Sequence, residues 1–501
     1  MTTALEKEVA APASTGRRGS HAMRWWVLAV LGVAQLMVVL DATVVNIALP
    51  HAQADLGFSN GDRQWVVTGY ALAFGSLLLL GGRLSDLFGR RTTFIVGLIG
   101  FAVASAIGGA AANFDMLVAS RVAQGVFAAL LAPAALSLLT VTFTEPSERA
   151  KAFGIFGAIA GAGGALGLLL GGALTEWASW RWVMYVNLVF AAIALVGAVL
   201  LLAKHTATQR PKLDLPGTLA VSASLFAIVY GFSHAESDGW SNGVTLAFLI
   251  GGAVLLAVFV LIEQRVAHPL LPLRVVLDRT RGASYLVVFT TGIGMFAMFL
   301  FLTYYMQQQM GFSPIRTGLA FLPMVAGMVA SSTTVPALVV PRVGPKATAV
   351  FGFVLAAVGM VLLTRIGVDT GYASHILPSL ILMGLGLGFA LSTAFTGATS
   401  GVHHTDAGVA SAMVNTSQQV GGSIGTALLS TLAATAASNY VTDHLSGGAP
   451  SPLVLAEAAV KSYTTTFWWA AIIFAVGAVV VGFIMPNNVP VPAEGEPVLA
   501  H

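Results

Sequence analysis

Few residues of this chain could do chemistry, and the first is Asp41, in the string Leu40-Asp41-Ala42-Thr43-Val44-Val45-Asn46-Ile47-Ala48-Leu49-Pro50. It lies in the outer third of an apolar run from Trp25 to Leu49. A run of about 25 residues crosses a bilayer core of roughly 30 Å. A carboxylate at that depth costs about 2.5–3.5 kcal/mol, so it needs a polar cavity or a partner. No other acidic residue falls well inside a predicted span. Asp41 therefore reads as a proton-titrating group.

The second is Arg121, in Arg121-Val122-Ala123-Gln124-Gly125, the one basic residue placed within a span. It sits about six residues from the outer end of its span, or roughly 9 Å; Asp41 sits about eight residues from its own, or roughly 12 Å. Matching depths permit a pair, direct or through water or Gln124. The alternative is an arginine that snorkels alone to the interface.

A third constellation points elsewhere. Gly421-Gly422-Ser423-Ile424-Gly425 fits the G-x-S-x-G pattern of serine hydrolases, with His404 and Asp406 upstream. That chemistry needs the serine on a sharp strand-to-helix turn, whereas this stretch reads as a glycine-rich helix. His403 and His404 read as ordinary loop residues. There is no GxxxxGK[ST] phosphate loop, which argues against ATP as an energy source. Cysteine is absent, which excludes disulfides and thiolate metal sites. No cofactor and no metal are expected.

The elements that must position these residues follow from composition. The chain is 56% hydrophobic and 9% charged, against about 25% charged for soluble domains. This is an all-α polytopic membrane protein whose solvent is the lipid bilayer, with no nucleic-acid partner. Hydropathy gives fourteen spans, near 25–49, 64–82, 92–112, 116–140, 150–174, 182–203, 215–233, 243–262, 284–307, 317–340, 347–365, 376–398, 407–436 and 465–485. Of the 24 lysines and arginines, 18 fall in the N-terminal tail and the alternate loops on its side. Five fall opposite: Arg63, Arg181, Arg316, Arg365 and Lys461. By the positive-inside rule both termini are cytoplasmic. Residues 1–23 read as a disordered cytoplasmic tail, and the run after them is too long for a signal-peptide core. Trp25–Trp26, Trp180 with Trp182, and Trp468–Trp469 are expected at span ends.

An internal repeat organises the spans. Gly163-Gly164-x-x-Gly167 recurs as Gly421-Gly422-x-x-Gly425, 258 residues on, and Gly89-Arg90-Arg91 is echoed by Gly344-Pro345-Lys346, 255 residues on. Spans 1–6 then correspond to spans 9–14, with spans 7–8 inserted. The expected units are a bundle over 24–204, the inserted pair with its linkers over 205–280, a bundle over 281–486 and a tail over 487–501. Glycines 163, 167 and 171 in span 5, and 421 and 425 in span 13, are expected to pack helices closely.

Several strings resemble a known family. Gly81 to Arg91, GGRLSDLFGRR, resembles the signature loop of the major facilitator superfamily, with Gly82, Asp86, Gly89, Arg90 and Arg91 in place and Leu87 where a basic residue is usual. The resemblance implies that Asp86 latches the halves at the cytoplasmic face, and the N-terminal dipole of span 13 on that face suits a carboxylate. Arg121 to Gly125 resembles the superfamily's second motif. Span 5 resembles its antiporter motif, with Leu168 at a proline position; Asn187-Leu188-Val189 in span 6 likewise lacks a proline, and both changes remove a kink. The Asp41 string, Trp65 to Tyr70, Asp214 to Gly217, and Ala410 to Gly425 resemble the fourteen-span drug:proton antiporters.

The resemblance, over residues 25–485, implies an antiporter exporting lipophilic drugs or antibiotics, and not an enzyme. Protons would enter from outside and titrate Asp41, while Arg121 would favour its charged form in one state and release it in the other. A cavity near the midplane is expected, lined by spans 1, 4, 9 and 12. Gln35, Asn46, Gln124, Tyr304, Tyr305 and Gln307 are its candidate polar contacts, and Phe296, Met298 and Phe299 its candidate apolar ones. A monomer in the plasma membrane is expected. Two other functions stand beside this one: a dedicated exporter of one self-made metabolite, and a membrane-embedded serine hydrolase.

Overall fold

The structure is a computed structural model that describes residues 17–59, 62–143, 145–202, 214–266, 269–402, 407–444 and 449–487. Among the described residues every regular element is a helix. Spans 1–8 are Arg17–Leu56, Arg63–Phe88, Arg90–Gly109, Phe114–Thr142, Pro146–Trp177, Trp182–Leu201, Leu215–Asp238 and Gly243–Arg265. A short helix, Leu273–Val276, leads into span 9, Arg279–Tyr304, which a π-helical turn extends to Gln309. Span 10 is broken into Pro314–Ala320, Leu322–Thr334 and a π-turn at Val335–Val339. Spans 11–14 are Val340–Leu363, Leu377–Thr399, Ala407–Asp443 and Pro452–Ile484. Thirteen of the fourteen are long and apolar enough to cross a bilayer, and span 5 has 32 residues.

Local chemistry sets several helix starts. Asn113 and Asp214 accept from Met116 N and Gly217 N, each at 2.9 Å, and so cap spans 4 and 7. Pro146, Pro216, Pro314 and Pro452 occupy first-turn positions, where a missing N–H costs nothing.

The repeat is visible in backbone and packing alike. Gly89 (φ 90°) and Gly344 (φ 85°) both hold positive φ at equivalent places, so the chain turns between spans 2 and 3 and again near the start of span 11. Helical hydrogen bonding continues across Gly344, but the direction changes. Glycines 163, 167 and 171 of span 5 lie on Val39, Thr43 and Val44 of span 1. Gly421 and Gly425 of span 13 lie on Phe289 and Ile293 of span 9. A Cβ at Gly171 would sit 2.8 Å from Val44 Cγ2, and one at Gly425 would sit 2.5 Å from Ile293 Cα. Overpacking of this kind costs about 1–3 kcal/mol or more. Gly425→Leu is therefore expected to cut the yield of monodisperse protein in size-exclusion chromatography. Gly251→Ala in span 8, where nothing lies within 4 Å of the added carbon, should leave it unchanged.

Several boundaries depart from expectation. Span 1 begins at Arg17, inside the stretch expected to be a tail, while residues 1–16 lie outside the described region. Span 14 begins at Pro452 instead of 465, and span 13 runs to Asp443. These two helices continue together past the hydropathy limit, tied by Tyr440 Oη donating to Glu457 Oε2 at 2.8 Å. Hydropathy finds the membrane edge, whereas alanine-rich helix continues beyond it. Trp468 and Trp469 accordingly lie within helix 14, not at its end.

The halves meet along two seams, span 5 with span 10 and span 2 with span 13. At the seam of spans 5 and 10 Gly318 abuts the Leu168 carbonyl, Gly172 abuts Pro314 and Ile315, and Ile315 N donates to Glu176 Oε2 at 3.0 Å. Spans 7 and 8 pack on each other, and span 7 leans against spans 2 and 13, with Ser222 Oγ donating to Ser76 O at 2.7 Å.

Candidate proton-coupling site

Asp41 is fully buried in span 1, and three donors converge on it. Arg121 Nη1 from span 4 lies 2.6 Å from Oδ2. Gln124 Nε2, one turn further along span 4, donates to Oδ1 at 2.8 Å. Asn187 Nδ2 from span 6 donates to Oδ1 at 2.7 Å. Ser105 Oγ of span 3 lies 2.6 Å from Gln124 Nε2 and 3.0 Å from Asn187 Nδ2. Residues 121 and 124 share a helix face at i, i+3, which is why one helix can supply both groups.

Arg121 is as enclosed as its partner, at 1% exposure. It also donates through Nε to Val66 O at 3.1 Å and through Nη1 to Gln124 Oε1 at 2.9 Å, and its guanidinium lies 4.4 Å from the Tyr70 ring centroid. Desolvating two ions costs several kcal/mol each, offset only by close contact and satisfied hydrogen bonds. That condition is met for the charged pair. It is not met for a protonated Asp41. A neutral carboxyl must donate, yet each described neighbour of its oxygens is itself a donor. Proton uptake therefore requires rearrangement. Asn187 Oδ1 is buried without a partner, so rotating that amide would present an acceptor to Asp41.

Asn187 and Ser105 were not anticipated as partners of Asp41. The sequence marked Asn187 only through the missing proline two positions later. Replacing Asn187 by Ala removes one hydrogen bond to a charged group, worth about 1.5–3 kcal/mol. Gradient-driven transport should fall about tenfold or more with unchanged folded yield, measured as initial flux in vesicles.

The other candidates are more scattered. Asn46 donates to Ala42 O at 3.1 Å within its own helix, and its Oδ1 is unpartnered. Gln35 is half-buried in span 1. Gln307 Nε2 reaches Ile47 O at 3.0 Å and Tyr304 Oη donates to Gln53 Oε1 at 2.7 Å, so both join the halves. Tyr305 turns away, donating to Gly367 O at 2.7 Å. Met298 is buried in the core, and Phe299 packs on Phe321 of its own bundle at 5.0 Å. Phe296 covers Gly422 and touches both bundle cores. Periodicity cannot orient span 9, because it is apolar all round.

Where spans 2 and 3 join, Gly89 makes the turn, Arg91 Nη2 donates to Val199 O at 2.9 Å, and Arg83 Nη2 donates to Pro269 O at 2.9 Å. Gly82 lies 3.6 Å, from an added Cβ, to Pro133 Cβ, and Arg90 opens span 3. The Asp86 side chain lies outside what the structure describes. Leu79 of span 2 packs near Val409, Ala412 and Met413 at the start of span 13. Ser423 is buried in mid-helix between the packing glycines, with no strand-to-helix turn at it. His404 and Asp406 lie outside the described residues. Ser423 thus lacks the setting of a hydrolase nucleophile.

Comparison with known proteins agrees with this architecture. A puromycin resistance protein of Streptomyces alboniger is 48% identical over 474 residues, covering 94% of this chain and 92% of its own. A cephamycin export protein of Amycolatopsis lactamdurans is 37% identical, covering 83% and 87%. A tetracenomycin C resistance and export protein of Streptomyces glaucescens is 35% identical, covering 87% and 80%. Among solved structures, a bacterial homolog of the human lysosomal transporter Spinster, inward-facing and unoccupied, aligns with TM-score 0.61 at 16% identity over 92% of this chain and 96% of that one. The family model of the Major Facilitator Superfamily matches residues 31–426, and the chain belongs to that family.

Proposed function

We propose that this multi-pass transporter exports lipophilic drugs or antibiotics in exchange for protons, by alternating access of a cavity between its halves. The observation that carries the reading is the buried Asp41–Arg121 pair, whose neighbours satisfy a charged carboxylate and must move for a neutral one. The coupling chemistry sits in one half only. Offsets of 255 and 258 residues from Asp41 fall on Phe296 and Phe299, so the second half offers apolar surface at the equivalent depth. The relatives' names support drug export. They also favour a second reading, a dedicated exporter of one metabolite of the same cell, because each is named for one compound. The protein works as a monomer in the plasma membrane, both termini in the cytoplasm. Asp86, in the last turn of span 2, latches the cytoplasmic face.

Proteoliposomes with an imposed pH gradient and a panel of unrelated lipophilic substrates test the proposal. Several should accumulate against a concentration difference; a single one would select the dedicated exporter, and none at all would reject export. Rigid dications should be poor substrates, since among the described residues no second carboxylate joins the Asp41 network. Dication fluxes equal to those of neutral dyes would contradict that. For the latch, Asp86→Asn should raise labelling of cavity cysteines from the cytoplasmic side, and unchanged labelling with full transport would remove Asp86 from the mechanism.

A further inference from the structure

Arg63 opens span 2 at the outer face, where a cation would ordinarily reach water, yet it is only 7% exposed. Its guanidinium carbon lies 4.2 Å from the Tyr304 ring centroid and 5.4 Å from that of Phe301. The Tyr463 ring stands behind them, 6.2 Å from Phe301 and 6.1 Å from Tyr305 between centroids. Among the described residues no carboxylate pairs with Arg63, and its Nε is buried without a partner. The contrast with the other enclosed arginine is direct, since Arg121 has Asp41. Arginine stays protonated, so Arg63 is a permanent cation held mainly by aromatic faces.

The cage and its occupant belong to different halves. Phe301 and Tyr304 are on span 9 and Tyr463 on span 14, whereas Arg63 is on span 2. When the halves part at the outer face the guanidinium must leave, and a box of aromatic rings is left open toward the gap. Aromatic boxes of this kind recognise quaternary ammonium groups. We infer that Phe301, Tyr304 and Tyr463 form a subsite for the cationic head of exported amphiphiles, and that Arg63 is a tethered stand-in that fills it between turnovers. The inference rests on the export reading and adds a substrate class to it. It also solves a problem of charge: Asp41 is already engaged by Arg121, Gln124 and Asn187, so a cation can be recognised by ring faces without competing for the proton site. Return of Arg63 to the cage expels the head group outward, because two cations cannot share it.

The test uses the full-length protein and two fluorescent amphiphiles identical except for a trimethylammonium or a neutral tert-butyl head. Binding is titrated in detergent, and flux is followed in proteoliposomes under a pH gradient. Tyr304→Leu should weaken the ammonium dye by about tenfold and the neutral dye by less than about twofold. Tyr304→Phe, which keeps the ring, should stay within about twofold for both. Arg63→Gln should tighten ammonium binding severalfold by emptying the cage. Equal loss of both dyes in Tyr304→Leu would reduce the cage to packing and overturn the proposal. Loss of a sulfonate-headed dye in Arg63→Gln, with ammonium binding unchanged, would assign Arg63 to anions and also overturn it. Failure of the unaltered protein to export any dye would reject the export reading, separately from the detergent titration, which reads the cage alone.

Discussion

Asp41→Asn should reduce accumulation of substrate under an imposed pH gradient to background, the largest loss of transport expected from any single substitution. The change keeps the shape of the side chain and makes it permanently neutral. Removing the carboxylate charge relieves about 2.5–3.5 kcal/mol of membrane cost, which offsets the counter-charge lost to Arg121, whose guanidinium keeps Val66 O, Gln124 Oε1 and the Tyr70 ring. The asparagine also brings its own donor into a shell of donors, so Gln124 or Asn187 must turn an amide oxygen toward it. Those rotations are the ones a protonated Asp41 would demand, and the mutant is expected to rest in that arrangement. Substrate should still bind, and should exchange between labelled and unlabelled pools at zero gradient. The check is paired flux in proteoliposomes, downhill exchange beside uphill accumulation. Uphill pumping at near the unaltered rate would remove Asp41 as the coupling group.

Legibility in the sequence followed cost. Asp41 and Arg121 stood out because ionised groups inside apolar spans are expensive and rare. Gln124 came with them by its place one turn from Arg121. Asn187 and Ser105 are neutral and small, inexpensive enough in a membrane helix to occur without function, so nothing in their spans pointed to Asp41. The paired glycines were readable as helix contacts because close approach leaves no room for a Cβ, and Gly344 echoed Gly89 because both turns need positive φ. Cavity contacts on span 9 were less readable. Tyr304 faces the seam, while Tyr305 and Phe299 face their own bundle. A helix apolar on every side carries no stripe from which to choose. Arg63 was legible only as one more positive charge on the outer side, since the rings around it come from spans more than two hundred residues away in sequence.

Arg121→Leu should be the most damaging substitution for folding. It strands a carboxylate at 0% exposure with two amide donors and no counter-charge. Removing one partner of a buried pair costs about 3–5 kcal/mol, because the remaining ion is uncompensated. Folded yield in mild detergent and the thermal midpoint should both drop well below those of Asp41→Asn. Adding Asp41→Asn to Arg121→Leu should then restore yield and midpoint, with a coupling energy of about 3 kcal/mol in the double-mutant cycle, at the upper end for residues in contact. Pumping should not return, because the carboxyl that carried the proton is gone. Here a structural ion pair and a coupling pair diverge. If the pair only held spans 1 and 4 together, the double mutant would recover stability and uphill transport together, and Asp41 would be a strut. Recovery of stability alone assigns the pair to coupling.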